Sequence, residues 1–258
     1  PAWSQVAPPF AQLFRQTRDT PRVLALDAEV ARARGLAEQA RARPNPSINV
    51  YAENFAGDRT RNAADQRQTT FQIDQPIELG GKRSARIAAG EAGIVAAQAR
   101  GVDGRLAYAT DLARAYAGVE LAERRIVLAS EEAEAAGADL KVARALVGAG
   151  KEARLRQLQA ETELNSLQAV VENARADRSI ALARLSVLAG APSAYTGVSE
   201  SLLDRLNARP PAGPLDPLQS ATVGGAEAER DAAARQVTVQ QRLAIPNVTA
   251  QLGVRQLR

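Results

Sequence analysis

The 258-residue sequence predicts a mainly α-helical protein with a small β part, organised around one long antiparallel helical hairpin. Three observations predict this class. Residues 77–191 contain no proline and are rich in alanine, leucine, arginine, glutamate and glutamine, which favours continuous helix. Two short segments before this run alternate apolar with polar side chains, which is the period of a strand. A helix–proline–strand order also occurs twice, 200 residues apart, which indicates an internal repeat.

The composition excludes most catalytic chemistry. The sequence has no cysteine, histidine or methionine, and therefore no thiolate nucleophile, no imidazole base and no soft ligand for a transition metal. We accordingly predict no enzyme activity, no cofactor, and no catalytic, cofactor-binding or metal-ligating residue. The 33 basic and 29 acidic residues are finely interleaved, so the basic block that nucleic-acid binding needs is missing. No segment approaches the roughly 18–20 apolar residues of a membrane-spanning helix.

Proline and glycine positions divide the chain into segments. A helix is predicted to begin at Pro21, a favourable first-turn residue, and to end before Pro44-Asn45-Pro46. The strands are predicted at Ser47–Glu53 and Thr70–Gln75. The segments in order are an N-terminal segment 1–20, a helix 21–43, a β-hairpin 44–79, a long helical hairpin 80–190, a linker 191–219, and the start of a second repeat 220–258.

The proline-free run must bend, since 115 residues of unbroken helix would extend about 170 Å at 1.5 Å per residue. Val147-Gly148-Ala149-Gly150 is the preferred bend, and Gly101 with Gly104 is the alternative. The preferred bend leaves helices Lys82–Leu146 and Lys151–Leu188, roughly 98 and 57 Å long. Gly80-Gly81-Lys82, just before them, is interpreted as a flexible strand-to-helix joint, because its spacing does not fit a phosphate-binding loop.

The repeat relates residues 226–254 to residues 26–54. Ala28-Glu29 matches Ala228-Glu229 and Pro46 matches Pro246, although chance similarity between alanine-rich segments is an open alternative. The second copy reaches only its first strand, so the sequence is expected to represent about three-fifths of a protein.

Several short motifs resemble those of one family. They are Arg43-Pro44-Asn45-Pro46-Ser47, Glu53-Asn54-Phe55, the run from Gln75 to Arg83, Val147-Gly148 at the bend, and Leu185 through Gly190. With the repeated strand–helical hairpin order, they resemble the TolC-like outer-membrane efflux factors, in the branch of cobalt–zinc–cadmium resistance pumps. The resemblance covers about residues 20–258, without a second hairpin and without the N-terminal lipidation cysteine of many members.

The resemblance implies a homotrimer whose subunits each contribute four strands to a shared β-barrel in the bacterial outer membrane and helices to an α-barrel in the periplasm. It implies a passive exit duct for exported substrates, divalent heavy-metal cations in this branch. The implied partners are a periplasmic adaptor (membrane fusion) protein, an inner-membrane resistance–nodulation–division pump and outer-membrane lipid. A soluble or periplasmic coiled-coil scaffold, or an adaptor-like protein, is the alternative.

The period of the strands then assigns their faces. The expected lipid-facing residues are Ile48, Val50, Phe71 and Ile73, with Tyr51 and Phe55 near an interface. The expected lumen-facing residues are Asn49, Glu53, Gln72, Asp74 and Glu78. The carboxylates of Glu53, Asp74 and Glu78 would either form rings that attract cations or be an ordinary polar lining of a wet pore. A soluble β-hairpin with one buried face is the alternative for the strands. The expected adaptor-docking tip is Leu146, Val147, Gly148, Ala149 and Gly150, whose glycines alternatively only make the turn.

Overall fold

The computed structural model describes residues 5–53, 68–207 and 216–257. Asn54 and Phe55 of the family motif, including the predicted interface position of Phe55, therefore lie outside the described residues. So do the rest of the connection between the first two strands and part of the 191–219 linker. The helices are α1 (Phe10–Gln16), α2 (Pro21–Arg41), α3 (Lys82–Gly148), α4 (Arg154–Ala189) and α5 (Ala221–Leu243). The strands are β1 (Ser47–Glu53), β2 (Gln68–Ile77) and β3 (Val248–Leu257).

The predicted class is confirmed, with corrections at the ends of elements. Helix α2 ends two residues before the predicted position, and α4 begins at Arg154, not at Lys151. Strand β2 is four residues longer than predicted because it pairs with β3 along its whole length, and Pro76 is tolerated within it. The short helix α1 was not predicted.

The described residues form two compact units. The first comprises residues 5–26 and 104–207, and the second comprises residues 27–53, 68–103 and 216–257. Helix α3 continues without interruption through Gly101 and Gly104, so the alternative bend is not used. A Cβ atom at Gly104 would lie 2.8 Å from Leu26 Cδ2, so this glycine permits close packing of Leu26 instead of breaking the helix.

In the first unit, α3 and α4 pack antiparallel along small and medium apolar side chains. One cluster joins Leu112, Tyr116 and Val119 of α3 to Leu182 and Leu185 of α4. A second cluster, nearer the bend, joins Leu140 and Ala143 to Ala160. The predicted hairpin is thereby confirmed in this unit. At the edge of the first cluster, the Tyr116 hydroxyl donates to Pro8 O at 3.2 Å.

The N-terminal segment and the residues after α4 pair with each other over this hairpin. Ala7 N donates to Gly197 O at 2.8 Å, and Ser199 N donates to Ala7 O at 3.1 Å, which forms a parallel bridge. Ala7 and Leu13 are fully buried against the hairpin core. These segments therefore form an ordered part of the first unit, a contact that the sequence did not predict.

Glu120 of α3 holds the end of that second segment. Its Oε1 accepts from Ser201 Oγ at 2.5 Å and from Arg124 Nη2 at 2.6 Å, and its Oε2 accepts from the backbone N of Leu202 and Leu203 at 3.0 and 3.1 Å. Burial by itself raises the pKa of Glu120, but these hydrogen bonds outweigh burial and hold its pKa below the ordinary value. Glu120 is thus a buried, fully partnered carboxylate.

In the second unit, β1, β2 and β3 form an antiparallel sheet with β2 in the centre. Ile48 lies opposite Ile73, and Ile73 lies opposite Leu252, so the register aligns the apolar positions of all three strands. In the same unit, Arg100 of α3 forms a 3.0 Å ion pair with Glu229 of α5. The hydrogen bond from Arg32 is the main cause that lowers the pKa of Glu29, and the positive charge of Arg100 lowers this pKa further. Both glutamates of the predicted repeat thus interact with the Arg100 guanidinium, and the repeat itself stays a prediction.

Candidate functional site

The apolar side chains of the sheet share one exposed face. Phe71 and Ile73 on the central strand are 53% and 50% exposed, whereas the polar Gln72 and Asp74, which alternate with them along the strand, are partly buried. A water-soluble sheet shows the opposite pattern, because its apolar face packs onto a core. Within the described residues nothing covers the apolar face, so these residues do not form the alternative structure, a soluble β-hairpin with one buried face. The exposed apolar side chains are Ile48, Val50, Phe71, Ile73, Leu252 and Val254.

The opposite face carries a small hydrogen-bonded polar cluster. Asn49 Nδ2 donates to Asp74 Oδ2 at 2.7 Å, and the Gln72 side-chain amide donates to the other carboxylate oxygen of Asp74. Three of the residues predicted for the polar side are thus brought together. Glu53 does not belong to this cluster. It lies opposite Gln68 at the far end of β1 and is exposed.

The third predicted acidic residue, Glu78, has a different environment. It follows the last residue of β2 and forms a two-pronged ion pair with Arg86 of α3, at 2.5 and 3.1 Å. This pairing lowers the pKa of Glu78. Its side chain is 14% exposed. The structure therefore separates Glu78 from Asn49, Gln72 and Asp74, because its carboxylate is partnered at the strand-to-helix junction.

The same junction contains two residues that sequence reasoning missed. Arg86 also donates to the carbonyl oxygens of Ala40 and Ala42 at 3.0 Å, and Arg83 donates to that of Arg41 at 2.7 Å. These are carbonyl groups at the C-terminal end of α2, which have no partner within the helix. The spacing of arginines in the sequence gives no signal for such a cap, because the two helices are about 40 residues apart along the chain.

Gly80 and Gly81 make the joint itself, as predicted. Their φ values are +69° and +73°, a left-handed conformation that glycine adopts without steric cost. A Cβ atom at Gly80 would also collide with the side chain of Ile245. Beside it, the buried Lys82 Nζ donates to Asn247 Oδ1 at 2.5 Å. The joint thereby fixes the start of α3 against the residues that lead into β3.

The two glycines at the bend of the hairpin, Gly148 and Gly150, have different structural roles. Gly150 has a φ of +68°, and Lys151 N donates to Leu146 O at 2.9 Å while Gly150 N donates to Val147 O at 3.0 Å. This is the Schellman arrangement that ends a helix. Gly148 is still helical, is exposed, and has no atom within 4 Å of a Cβ built on it. Gly150 therefore makes the turn, whereas the turn does not require a glycine at position 148.

Across the described residues, no helix is both long and apolar enough to cross a membrane. In the same part of the chain, no three acidic side chains are grouped so that they could hold a metal ion. The exposed apolar sheet face, the polar cluster behind it and the hairpin bend are the features that a function must explain.

Comparison with known proteins gives the family. Residues 17–191 match the outer membrane efflux protein family, which is more than half of the chain. The chain belongs to this family. It is accordingly a protein of the bacterial outer membrane, as the resemblance implied.

The matched relatives and structures refine this membership. The chain is 45% identical over 250 residues to the nickel-cobalt-cadmium resistance protein NccC of Alcaligenes xylosoxydans xylosoxydans, covering 96% of this chain and 57% of that relative. It is 44% identical over 250 residues to the nickel and cobalt resistance protein CnrC of Cupriavidus metallidurans, covering 96% of this chain and 59% of that relative. The chain thus spans somewhat more than half the length of these relatives. The structure of CusC aligns with a TM-score of 0.77 at 17% identity, over 96% of this chain and 60% of CusC, and shows the same fold.

Proposed function

We propose that the chain forms part of a passive exit duct of a tripartite efflux pump, through which divalent heavy-metal cations leave the cell. The observation that carries this proposal is the sheet whose apolar face is exposed while its polar face is hydrogen-bonded. Such a sheet is stable when lipid covers the apolar face and water wets the polar face, as in an outer-membrane β-barrel. Membership of the efflux family supports the same conclusion.

In this proposal the duct closes as a homotrimer. The outer strands of the three-stranded sheet have unpaired backbone groups on one side, and closing a barrel through several subunits satisfies them in lipid. Ile48, Val50, Phe71 and Ile73 contact acyl chains, and Asn49, Gln72 and Asp74 line the water-filled interior with Glu53. Both carboxylate oxygens of Asp74 already accept hydrogen bonds, from the side-chain amides of Asn49 and Gln72. This pairing favours an ordinary polar lining over a strong cation site.

The metal specificity of the proposal comes from the relatives. NccC is named for resistance to nickel, cobalt and cadmium, and CnrC for resistance to nickel and cobalt. The 258 residues of this chain contain no thiolate, thioether or imidazole, so we propose that this part of the duct conducts cations without binding them tightly. Choice of metal then belongs to an inner-membrane pump of the resistance–nodulation–division type, which a periplasmic adaptor connects to the duct.

The adaptor is proposed to dock at the hairpin bend, Leu146 to Gly150. Replacing Gly148 with tryptophan is expected to abolish efflux while trimer assembly stays intact, because the bulky side chain occupies the surface that a partner approaches but does not disturb the turn. The measurement is the nickel and cobalt tolerance of cells that carry the pump, together with crosslinking of the adaptor. Gly148→Ala, which adds one methyl group in open space, is the matched control and keeps efflux. A well-folded Gly148→Trp protein that still crosslinks and exports would rule out docking at this end.

A further inference from the structure

The charges at the closed end of the hairpin are sharply segregated. Residues 141–158 contain five basic and one acidic residue. Residues 128–140 and 159–173, directly behind them on the two helices, contain seven acidic residues and no basic one. The packing of Leu140 and Ala143 against Ala160 sets the two segments side by side. The last turns of the hairpin are therefore positive, and the band behind them is negative.

Most of the positive charges at this end form no ion pair within the part of the chain that the structure describes. Arg144 forms an ion pair with Glu161 at 2.9 Å. The other four are exposed, and none of them forms an ion pair with a residue that the structure describes. They are Lys141, Lys151, Arg154 and Arg156. The end of the hairpin thus presents an excess of cationic groups that form no ion pair with the described residues.

Two of these cations lie where a helix disfavours them. Arg154 and Arg156 lie in the first turn of α4, next to the partial positive charge of the peptide dipoles. That turn contains no acidic residue, and Ala153 at its N-cap makes no side-chain hydrogen bond. Repulsion at this end is relieved when carboxylate groups of a second molecule come close.

Exposed apolar side chains lie among the cations. Val142 is 59% exposed, Leu155 64% and Leu158 51%, all within three turns of the bend. Apolar contacts supply burial on association, and surrounding charges select the partner and speed its approach. We name the combined surface of Lys141, Lys151, Arg154 and Arg156 with Val142, Leu155 and Leu158 the basic tip.

We propose that the basic tip binds a helical end of the periplasmic adaptor that presents carboxylate groups beside apolar side chains. This inference rests on the proposed function, which assigns the bend to the adaptor, and adds the chemistry of the contact. A partner with a basic end is disfavoured because it meets the positive turns before it reaches the negative band.

The test compares two variants that change the same number of charges. The first is Lys151→Gln with Arg154→Gln and Arg156→Gln in the basic tip. The second is Glu131→Gln with Glu134→Gln and Asp139→Asn in the negative band, where all three side chains are exposed. The probe is the purified adaptor of the native pump, and the readout is its association rate with the detergent-solubilised chain between 50 and 500 mM NaCl. Circular dichroism confirms that each variant is folded.

The expected results differ in direction. Association of the unaltered protein should slow by about tenfold or more across this salt range, because salt screens attraction between exposed charges. The basic-tip variant should associate about tenfold more slowly at 50 mM NaCl and lose most of the salt dependence. The negative-band variant should associate as fast as the unaltered protein or faster. A basic-tip variant with unchanged rate and salt dependence, or a negative-band variant that alone loses binding, would overturn the inference.

Gly148→Trp, measured in the same assay, separates this inference from the proposed function. If Gly148→Trp abolishes binding and the basic-tip variant does not alter it, the bend docks the adaptor but carboxylate recognition is wrong. If neither substitution alters binding, docking at the bend is wrong as well.

Discussion

Replacing Ile73 with arginine should prevent assembly of the protein in the outer membrane. Ile73 lies at the centre of the exposed apolar face, on the middle strand between Ile48 and Leu252. A cationic side chain on the lipid face of a barrel costs roughly 2–4 kcal/mol near the midplane of the bilayer, and the proposed trimer incurs this cost three times. The measurement is the amount of trimer recovered in outer-membrane fractions.

Gln72→Arg is the matched control, because it introduces the same side chain one position away on the opposite face. There the guanidinium lies in water beside Asp74, which pairs with Gln72 in the unaltered protein. Normal trimer yield is expected for Gln72→Arg. Equal yields for the two variants would contradict the assignment of the apolar face to lipid.

Replacing Glu120 with alanine should destabilise the first unit by about 1–3 kcal/mol, since it leaves the Ser201 hydroxyl and the backbone N–H groups of Leu202 and Leu203 without their acceptor. The segment around Ser201 should detach from the hairpin first. The measurement is urea unfolding of the detergent-solubilised protein, with protease sensitivity of residues 199–204 as a local readout. Glu131→Ala, at an exposed position of the same helix, should change stability by no more than about 0.5 kcal/mol. Similar losses in the two variants would show that the Glu120 contacts do not stabilise the unit.

The contribution of Glu120 should also depend on pH. Its pKa is lower in the folded protein than in the unfolded chain, so its stabilisation is complete above the ordinary glutamate pKa of about 4.3 and is lost as the pH falls toward the folded value. The difference in stability between the unaltered protein and Glu120→Ala should therefore shrink below about pH 4. A constant difference down to pH 3 would mean that the carboxylate charge plays no part.

The strands and the bend were predictable because their signals are local. Alternation of side chains assigned Val50 and Ile73 to one face, and the same alternation set the register once the strands paired. Glycine spacing identified the bend at Gly150 and the joint at Gly80, since both positions need a left-handed backbone.

The remaining features depend on contacts between distant parts of the chain. Glu120 is one of several glutamates on a long helix, and only folding shows that it alone meets Ser201, 81 residues away. The pairing of Ala7 with Gly197 has no periodic signal. Glu78 was grouped with Asp74 by its charge and position, but the strand ends just before it and Arg86 lies within reach of its carboxylate.

The orientation of the sheet can be measured directly, because these 258 residues contain no cysteine and a single substitution introduces one labelling site among them. A fluorophore attached at Val50→Cys, Phe71→Cys or Ile73→Cys, in protein purified from outer membranes and reconstituted in vesicles, should be strongly quenched by brominated acyl chains. The same fluorophore at Asn49→Cys, Gln72→Cys or Asp74→Cys should be quenched by aqueous iodide instead. Quenching that alternates with a period of two residues along β1 and β2 is the result expected for a membrane duct, and uniform access of iodide to all six positions would contradict it.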